Sequence, residues 1–521
     1  MIMNKKLTSV IIIFALLIGL SPTPVHGDVH RNSMQAVWIS TVLNLDYPSV
    51  KNNPSAQKKE FINMLDKLQA IGINTVMVQV RPKGDAFYES SINPWSESLT
   101  GVQGKYPGYD PMAFMIEETH RRGMSFHAWL NPYRVDMNNT DLSKLSEDHP
   151  ARLHPNWVIS HGGSLYYDPE SEEVKKHIVD TVKEIVNNYD VDGIHFDDYF
   201  YPSNYPLPEG EGRDGQIADL RRDNVNDMVK LVHDTIKSIA ATVLFGISPA
   251  GIWKNKKSDP TGSATNGSEA YYSVFSDCRQ WIQSETIDYI VPQIYWEIGY
   301  AIADYETLVK WWSNEVRYST VTLYIGQAAY RDKVAGQMDA QLQINSRYSN
   351  VKGSVYFRAA DLLANRSGVA DKIKAFNALK IADGIPSAHK VVINGKSQAF
   401  DAYNINGSNY FKLRDMAFAL SGTAKQFDTV WDPLLEVINL DPGSPYVEVG
   451  GELLPGDGKV KPATMTTATL TLDGTLVFSA AYNINGNNYY KLRDLARLMD
   501  FYVGWDPELE IITIDTSRPN L

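Results

Sequence analysis

From about residue 36 to residue 380 the chain repeats one pattern: a short apolar run, a loop, and then an amphipathic stretch. The apolar runs are rich in β-branched and aromatic residues, which is typical of buried strands. The pattern predicts eight strands, AVWIST (36–41), NTVMVQVRP (74–82), SFHAWLNPYR (125–134), DVDGIHFDDYF (190–200), LFGISPAGIW (244–253), IDYIVPQIYW (287–296), TVTLYIGQAAY (320–330) and GSVYFRAADL (353–362).

The amphipathic stretches carry apolar residues three and four positions apart, as at Ile178, Val182 and Ile185, and this spacing predicts helices. Gly72 and Gly123 stand where two of these helices are expected to end. The predicted helices include FINMLDKLQAIG (61–72), PMAFMIEETHRRG (111–123), EVKKHIVDTVKEIVNNY (173–189), NVNDMVKLVHDTIKSIA (224–240) and VADKIKAFNALK (369–380).

Strands that alternate with helices form a parallel sheet, and eight such units predict an α/β fold, a (β/α)8 TIM barrel. A doubly wound open sheet is the alternative. No GxGxxG or P-loop motif follows the first predicted strand, so nothing in the sequence marks a nucleotide site of the kind that such sheets carry. We therefore expect a barrel over residues 33–380.

Polar and aromatic residues gather at the C-terminal ends of the predicted strands, which a barrel brings together at one mouth. Each residue alone has a structural explanation: Arg81 or Arg358 would pair with a neighbouring carboxylate, and His127 would be a hydrogen-bonded core histidine. The set as a whole predicts a binding site. It consists of Arg81, Asp85, His127, Asn131, Tyr133, Arg134, His195, Asp197, Asp198, Ser248, Gln293, Tyr295, Trp296, Glu297, Gln327, Arg358 and Asp361.

The stretch DGIHFDDYFYP (192–202) places two adjacent carboxylates at the end of one predicted strand. Because strand residues alternate between faces, His195 and Asp197 should point into the barrel, with Asp198 where the strand ends. Glycoside hydrolysis uses two carboxyl groups, and repulsion between two carboxylates in one cavity raises one of their pKa values. Asp197 and Asp198 are therefore the first catalytic candidates, although aspartates at strand ends also cap the next segment or pair with arginine.

Glu297 is the favoured partner carboxyl, because the neighbouring Trp296 ring would desolvate it and keep it protonated. A solvated loop glutamate is the competing interpretation, and Asp85, Glu89, Glu97 or Asp361 are alternatives for the role. Trp129, Trp253 and Trp296 offer faces for sugar stacking, although some of them are expected in the core. The predicted substrate-binding residues are Arg81, His127, Asn131, Tyr133, His195, Gln293, Tyr295, Trp296 and Arg358.

Seven segments of this first module resemble the glycosyl-hydrolase-like 10 family. They are QVRPKGDAFY (79–88), NPWSESLTG (93–101), YDPMAF (109–114), HAWLNPYR (127–134), DGIHFDDYFYP (192–202), GISPAGIW (246–253) and DYIVPQIYW (288–296). The resemblance covers roughly residues 33–380 and implies an exported bacterial glycosidase-like barrel. The family includes enzymes that cut peptidoglycan glycan strands lacking stem peptides, so the resemblance implies a cell-wall sugar substrate.

DGIHFDDY is also similar to the DGxDxDxE motif of chitinase-type barrels, in which the final glutamate is the acid. Tyr199 occupies that position here, so the motif does not support a chitinase mechanism.

The first 27 residues read as a secretory signal, with Lys5 and Lys6 before an apolar run from Leu7 to Leu20. A retained membrane anchor is the alternative, but the run is short for a spanning helix. We expect a secreted or cell-wall-associated protein with no membrane contact after cleavage. The net charge of −12 argues against nucleic acid, and Cys278 is the only cysteine, so no internal disulfide forms. The scheme predicts no metal and no cofactor.

The C-terminal part is an internal duplication. AYNINGSNYFKLRDMA (402–417) recurs as AYNINGNNYYKLRDLA (481–496), and TVWDPLLEVINL (429–440) recurs as VGWDPELEIITI (503–514). Each unit predicts a strand, an Asn-Gly turn, a strand, a short helix and then a strand pair after Trp-Asp-Pro. The units, 388–441 and 465–521, resemble the copper amine oxidase N-terminal-like domain and form a small α+β module. A wall contact and a purely structural cap are both open for them.

The leading hypothesis is a secreted glycosidase that acts on a polysaccharide, the peptidoglycan glycan. A non-catalytic wall-binding or scaffold protein that keeps a sugar cleft is the second, and a hydrolase of another polysaccharide is the third.

Overall fold

The structure, a computed structural model, describes residues 34–520 except residues 406, 433–436, 467, 478 and 480. The predicted signal sequence, residues 1–27, lies outside the described residues. In chain order the strands of the first module are β1 Met34–Ile39, β2 Thr75–Arg81, β3 Ser125–Leu130, β4 Arg134–Asp136, β5 Val158–His161, β6 Ser164–Tyr167, β7 Gly193–Phe196, β8 Leu244–Ile247, β9 Tyr289–Ile290, β10 Thr322–Ala328 and β11 Val351–Phe357.

Helices fill the intervals between these strands, and the sequence sets several of their starts. Asn53, Asp110 and Ser171 each accept a hydrogen bond from the backbone of the first helical turn. The helices are α1 Pro54–Ile71, α2 Glu97–Thr100, α3 Pro111–Arg121, α4 Pro150–Leu153, α5 Glu172–Asn188, α6 Gln216–Ile239, α7 Ala270–Ser273, α8 Cys278–Gln283, α9 Tyr305–Glu315, α10 Asp332–Gly336, α11 Met338–Ser346, α12 Ala359–Leu363 and α13 Val369–Lys380. Among the described residues, no helix combines the length and apolarity needed to span a membrane.

Eight parallel strands close into one barrel in the order β1-β11-β10-β9-β8-β7-β3-β2. This confirms the predicted (β/α)8 barrel, and each of the eight predicted apolar runs overlaps one of these strands, although β1 and β11 begin two residues earlier than predicted. The sixth is much shorter than predicted, because Pro292 has no N–H for the ladder and pairing resumes only as single bridges at Gln293. Gln293 thereby sits at the barrel mouth, bridged to Ala250 and Gly326.

Alternation along β7 separates the two faces of the barrel wall. Ile194 and Phe196 pack with the apolar side chains of the surrounding helices, in one large core. His195 points inward, where Trp38 and Tyr289 belong to a smaller cluster inside the barrel. The structure thus places Asp197, two residues beyond His195, on the inner side of the mouth.

The third predicted strand, 125–134, is in fact two strands that belong to different sheets. β3 ends at Leu130, Pro132 follows, and β4 begins at Arg134 as part of an antiparallel sheet in the order β4-β6-β5. This small sheet carries Arg134 beside Tyr166.

The C-terminal strands and helices are β12 Ile381–Pro386, β13 Lys390–Ile393, β14 Lys396–Gln398, β15 Ala402–Ile405, β16 Ser408–Lys412, α14 Leu413–Leu420, β17 Phe427–Asp432, β18 Val437–Pro442, β19 Lys461–Met465, β20 Thr469–Leu472, β21 Thr475–Val477, β22 Ala481–Ile484, β23 Asn487–Lys491, α15 Leu492–Met499, β24 Tyr502–Asp506 and β25 Ile511–Asp515.

The two repeats share their sheets instead of folding side by side. The first hairpin of one repeat pairs with the last hairpin of the other, which gives the sheets β14-β13-β25-β24 and β17-β18-β20-β21. The remaining strands close into a second, six-stranded barrel, β12-β15-β16-β23-β22-β19. Trp431 and Trp505 lie within the first strand of each terminal pair, and not ahead of the pair as predicted. The resemblance to copper amine oxidase repeats stays a prediction.

Candidate active site

Parallel register brings Asn131 next to Asp197 at the barrel mouth. β3 and β7 pair Leu130 with Phe196, so the residues that directly follow these strands are neighbours. Asn131 Nδ2 lies 3.1 Å from both Asp197 Oδ1 and Oδ2, and Trp129 Nε1 donates to Oδ2 over 3.2 Å. Asp197 is only 3% exposed, so these donors replace water around its carboxylate.

Asn131 is itself fixed from two sides. Its side-chain oxygen accepts the Arg134 N–H at 2.9 Å, which turns the amide nitrogen toward Asp197. Its backbone carbonyl accepts from Arg81 Nη1 at 2.8 Å. Arg81 is 1% exposed and also donates to Pro132 O and Asn93 Oδ1, so the structure directs its donors at the protein. Arg81 therefore positions the loop that carries Asn131, rather than projecting into the mouth as a sugar ligand.

Asp198 is the more readily protonated member of the carboxylate pair. Burial and the adjacent Asp197 charge raise the pKa of its carboxyl to about 7. Hydrogen bonds from its own backbone and from Gln293 act in the opposite direction and lower this pKa. Burial also raises the pKa of Asp197, but Arg134, Asn131 and Trp129 all act to lower it. At pH values just below 7 the pair therefore holds a proton on Asp198.

Arg134 and Tyr199 form one wall beside the carboxylates. The Arg134 guanidinium lies 4.5 Å from the centre of the Tyr199 ring, and Tyr199 is 48% exposed. Among the described residues Arg134 has no carboxylate within ion-pair distance, although its charge lowers the pKa of Asp197. Sequence reasoning placed Arg134 at the mouth without giving it a role, and treated Tyr199 only as a departure from the chitinase motif.

His127 and His195 lie inside the barrel, below the carboxylates, and are 1% and 0% exposed. Trp38 Nε1 donates to His195 Nε2 over 3.0 Å, so His195 Nδ1 carries the proton and donates to the Tyr289 hydroxyl at 3.1 Å. That hydroxyl lies 2.8 Å from His127 Nδ1. Burial lowers the pKa of both histidines, to about 4 for His127. Both are neutral core histidines, which is the alternative that the sequence left open for His127. The geometry does not support the prediction that they bind sugar.

Gln293, Tyr295 and Trp296 remain at the mouth as predicted. Gln293 Nε2 donates to Ser248 O over 2.9 Å, which fixes the side chain that bonds Asp198. The Tyr295 ring stacks on Phe357 with centroids 6.0 Å apart, and burial, followed by the charges of neighbours that include both aspartates, raises the pKa of its hydroxyl. Trp296 is partly exposed. These side chains are available to contact a sugar.

The remaining predicted residues have other partners. Glu297 pairs with Lys333 at 3.0 Å, and this bond lowers its pKa, so the expected desolvation by Trp296 is wrong. Arg358 donates to Leu45 O and pairs with Asp46. Tyr133 is fully buried, and its hydroxyl has no hydrogen-bond partner among the described residues.

The three tryptophans predicted to stack on sugars also have different roles in the structure. Trp129 is a hydrogen-bond donor to Asp197, and Trp253, which is 4% exposed, donates to Asp277 at 2.9 Å in the core. Only Trp296 keeps an accessible ring at the mouth. Alternation along β3 was the available signal for Trp129, because it predicts Trp129 and Asn131 on the same inner face.

A model of the glycosyl hydrolase-like 10 family matches residues 33–344 of this sequence. The chain belongs to the glycosyl hydrolase-like 10 family. The match ends before β11 and α13, which complete the barrel of this family member. Family membership confirms the predicted glycoside hydrolase.

Curated relatives carry names of the same class. "Glycosyl hydrolase YngK" of Bacillus subtilis is 50% identical over 362 residues, which cover 65% of this chain and 71% of the relative. "Glycosyl hydrolase DigH" of Escherichia coli (strain K12) is 38% identical over 375 residues, which cover 65% of this chain and 85% of the relative.

Solved structures with a similar barrel share far less sequence. Alpha-L-fucosidase isoenzyme 2 from Paenibacillus thiaminolyticus is 13% identical, with a TM-score of 0.43, over 69% of this chain and 52% of that chain. The PgaB glycoside hydrolase domain from Bordetella bronchiseptica is 10% identical, with a TM-score of 0.45, over 66% of this chain and 98% of that chain. These similarities concern the fold alone.

Proposed function

We propose that the protein is a secreted glycoside hydrolase that cleaves peptidoglycan glycan strands lacking stem peptides, with Asp198 as proton donor and Asp197 as the ionised carboxylate. The observation that carries this proposal is the pair itself. Asp197 is buried and the adjacent Asp198 is half-buried at the same barrel mouth. Three polar neighbours of Asp197, namely Asn131, Trp129 and Arg134, favour its charged form. Glycoside hydrolysis needs one protonated and one ionised carboxyl group, which is the state this arrangement favours near neutral pH.

In the reaction Asp198 gives its proton to the glycosidic oxygen as the bond to the leaving sugar breaks. Asp197 stabilises the positive charge that develops on the sugar ring, either by attacking it or by activating a water. The hydrogen bonds from Asn131 and Trp129 hold the Asp197 oxygens in place throughout. Tyr295, Trp296 and Tyr199 supply the aromatic surface against which a sugar packs.

The family resemblance supports the cell-wall substrate, and Arg134 fits it chemically. Glycan strands without stem peptides expose the lactyl carboxylate of each muramic acid. The Arg134 guanidinium lies at the mouth and has no carboxylate within ion-pair distance in the described part of the chain, so it is suited to such a group. Export rests on the N-terminal sequence pattern and belongs to the proposal.

The test is to incubate the mature protein with purified peptidoglycan, either intact or stripped of stem peptides by an amidase, and to identify the soluble products by mass spectrometry. We expect the wild type to release peptide-free sugars from the stripped material, and Asp197→Asn to release none. Release from another polysaccharide such as chitin, with none from peptidoglycan, would contradict the substrate. Binding without release from any glycan would favour the scaffold hypothesis.

A further inference from the structure

The C-terminal module contains two cavities at equivalent positions of the duplication, with volumes of about 430 Å³ and about 310 Å³. Each combines the start of the helix and the tryptophan of one repeat with the Asn-Gly hairpin of the other. The first groove is lined by Lys412, Leu413, Arg414, Thr429, Trp431, Ile438, Thr466, Ala468, Asn483, Gly486, Asn487 and Asn488. The second groove is lined mostly by equivalent residues, His389, Asn404, Gly407, Ser408, Asn409, Lys491, Leu492, Arg493, Val503, Gly504, Trp505 and Ile512. The strand exchange between repeats is therefore what builds both grooves.

Each groove exposes a large aromatic face. Trp431 is 44% exposed and Trp505 is 43% exposed, although both lie on ordered strands that pack against the module core. A tryptophan left this open on a cavity wall, at the same place in both repeats, forgoes part of the hydrophobic stabilisation that full burial would give. The flat apolar face of an indole is the surface on which pyranose rings stack.

The charged side chains among the described lining residues of both grooves are lysines and arginines. Arg414 and Arg493 are exposed, and neither has an ion pair or hydrogen bond within the described part of the chain. No aspartate or glutamate is among the described lining residues of either groove. In the same motif Asp415 is 1% exposed and accepts the Leu453 N–H, so the acidic member is structural while the arginine faces the cavity. An unpaired guanidinium favours a carboxylate-bearing ligand.

One pair of equivalent residues, Ala468 and His389, differs in both size and hydrogen bonding between the grooves. The His389 ring in the second groove lies 4.6 Å from the Trp505 ring, measured between centroids. Its Nδ1 accepts a hydrogen bond from Asn409 Nδ2 over 3.0 Å. Ala468 holds the same position in the first groove, where the Nδ2 of Asn488 has no acceptor among the described residues. The first groove thus keeps both the larger volume and a free amide donor.

We propose that the two grooves bind glycan that carries carboxylate groups, with a sugar ring on the tryptophan and a carboxylate on the arginine. The first groove binds more tightly, because His389 occupies part of the second. The inference goes beyond the proposed hydrolysis, because it assigns wall attachment to sites outside the catalytic barrel.

The test measures sedimentation of the full chain with insoluble peptidoglycan stripped of stem peptides, in an Asp197→Asn background so that the glycan stays intact. We expect Trp431→Ala to weaken binding about tenfold and Trp505→Ala to weaken it less. The double variant loses more than either single variant, because both grooves contribute avidity. Val430→Ala is the matched control, since Val430 is 55% exposed on the same strand and does not line the groove.

The histidine difference supplies a second test that does not depend on removing an aromatic residue. Ala468→His should weaken binding by narrowing the first groove, and His389→Ala should strengthen it by opening the second. Arg414→Gln should weaken binding to peptidoglycan but not to chitin, which lacks the carboxylate. Thermal unfolding checks that each variant is folded.

Unchanged binding in the double tryptophan variant and in Ala468→His would overturn the sites. Equal losses on chitin and on peptidoglycan would overturn the carboxylate class. Neither result bears on the barrel, because the tryptophan variants in the active background should hydrolyse a soluble glycan at the wild-type rate. A failure of hydrolysis in the wild type would instead contradict the proposed function.

Discussion

The barrel mouth and the C-terminal grooves are the two proposed sugar-binding regions, and they differ in how far their key side chains are buried and hydrogen-bonded. At the mouth the key groups are buried, and their partners are fixed: Asp197 is 3% exposed and takes hydrogen bonds from Asn131 and Trp129. In the grooves the key groups are exposed and have unused hydrogen-bonding capacity, as with Trp431 and Arg414.

Burial explains why only one of the two regions is suited to chemistry. Removing a carboxyl group from water shifts its pKa, and a neighbouring charge shifts it further, which is how Asp198 keeps a proton near pH 7. The comparison predicts that barrel variants change turnover, and that groove variants change attachment without changing turnover.

The largest expected effect is that of Asp197→Asn. It removes the ionised carboxylate while preserving shape, so kcat should fall by about 10³-fold or more. Steady-state hydrolysis of soluble peptide-free glycan measures this change. Asp277→Asn is the matched control, because the half-buried Asp277 also accepts a tryptophan N–H, from Trp253, and is not a candidate catalytic residue. Turnover within about threefold of wild type for Asp197→Asn would contradict its role.

A smaller effect is expected for Asn131→Ala. Its hydrogen bonds lower the pKa of Asp197, so their loss raises that pKa. The acid limb of the kcat/KM profile should move to higher pH, and kcat should fall by roughly 10- to 100-fold. Asn345→Ala is a buried amide control that contacts Tyr305 and Ser354 instead. It should cost about 1–2 kcal/mol of stability and leave the acid limb in place.

The smallest effect is expected for Glu297→Gln. The carboxylate pairs with Lys333, which is 79% exposed, so the pair contributes within about 1 kcal/mol. Turnover should change less than about twofold. A loss near that of Asp197→Asn would make Glu297 the acid, as the sequence had suggested, and would remove that role from Asp198.

The sequence predicted the barrel because the two hydrophobic periods are local and repeat eight times. It also predicted that Asp197 faces inward, since alternation along one strand needs no partner. It did not predict that His195 lies inside the barrel while Asp197 lies at its mouth. The two residues share a face of the strand, and their depth in the barrel depends on how the other strands are staggered. The indole donor to Asp197 and the exchange of hairpins between repeats are contacts between distant segments, which no local pattern encodes.

The measurement that tests the central claim most directly is the pH dependence of kcat/KM for soluble peptide-free glycan. The account predicts a bell-shaped dependence of kcat/KM on pH. Activity rises as Asp197 ionises, above the ordinary aspartate range because its pKa is raised, and falls as Asp198 loses its proton near pH 7. In Asp198→Asn the fall on the basic side should disappear together with most of the activity. A basic limb that stays near pH 7 in this variant would show that another group donates the proton and would contradict the account.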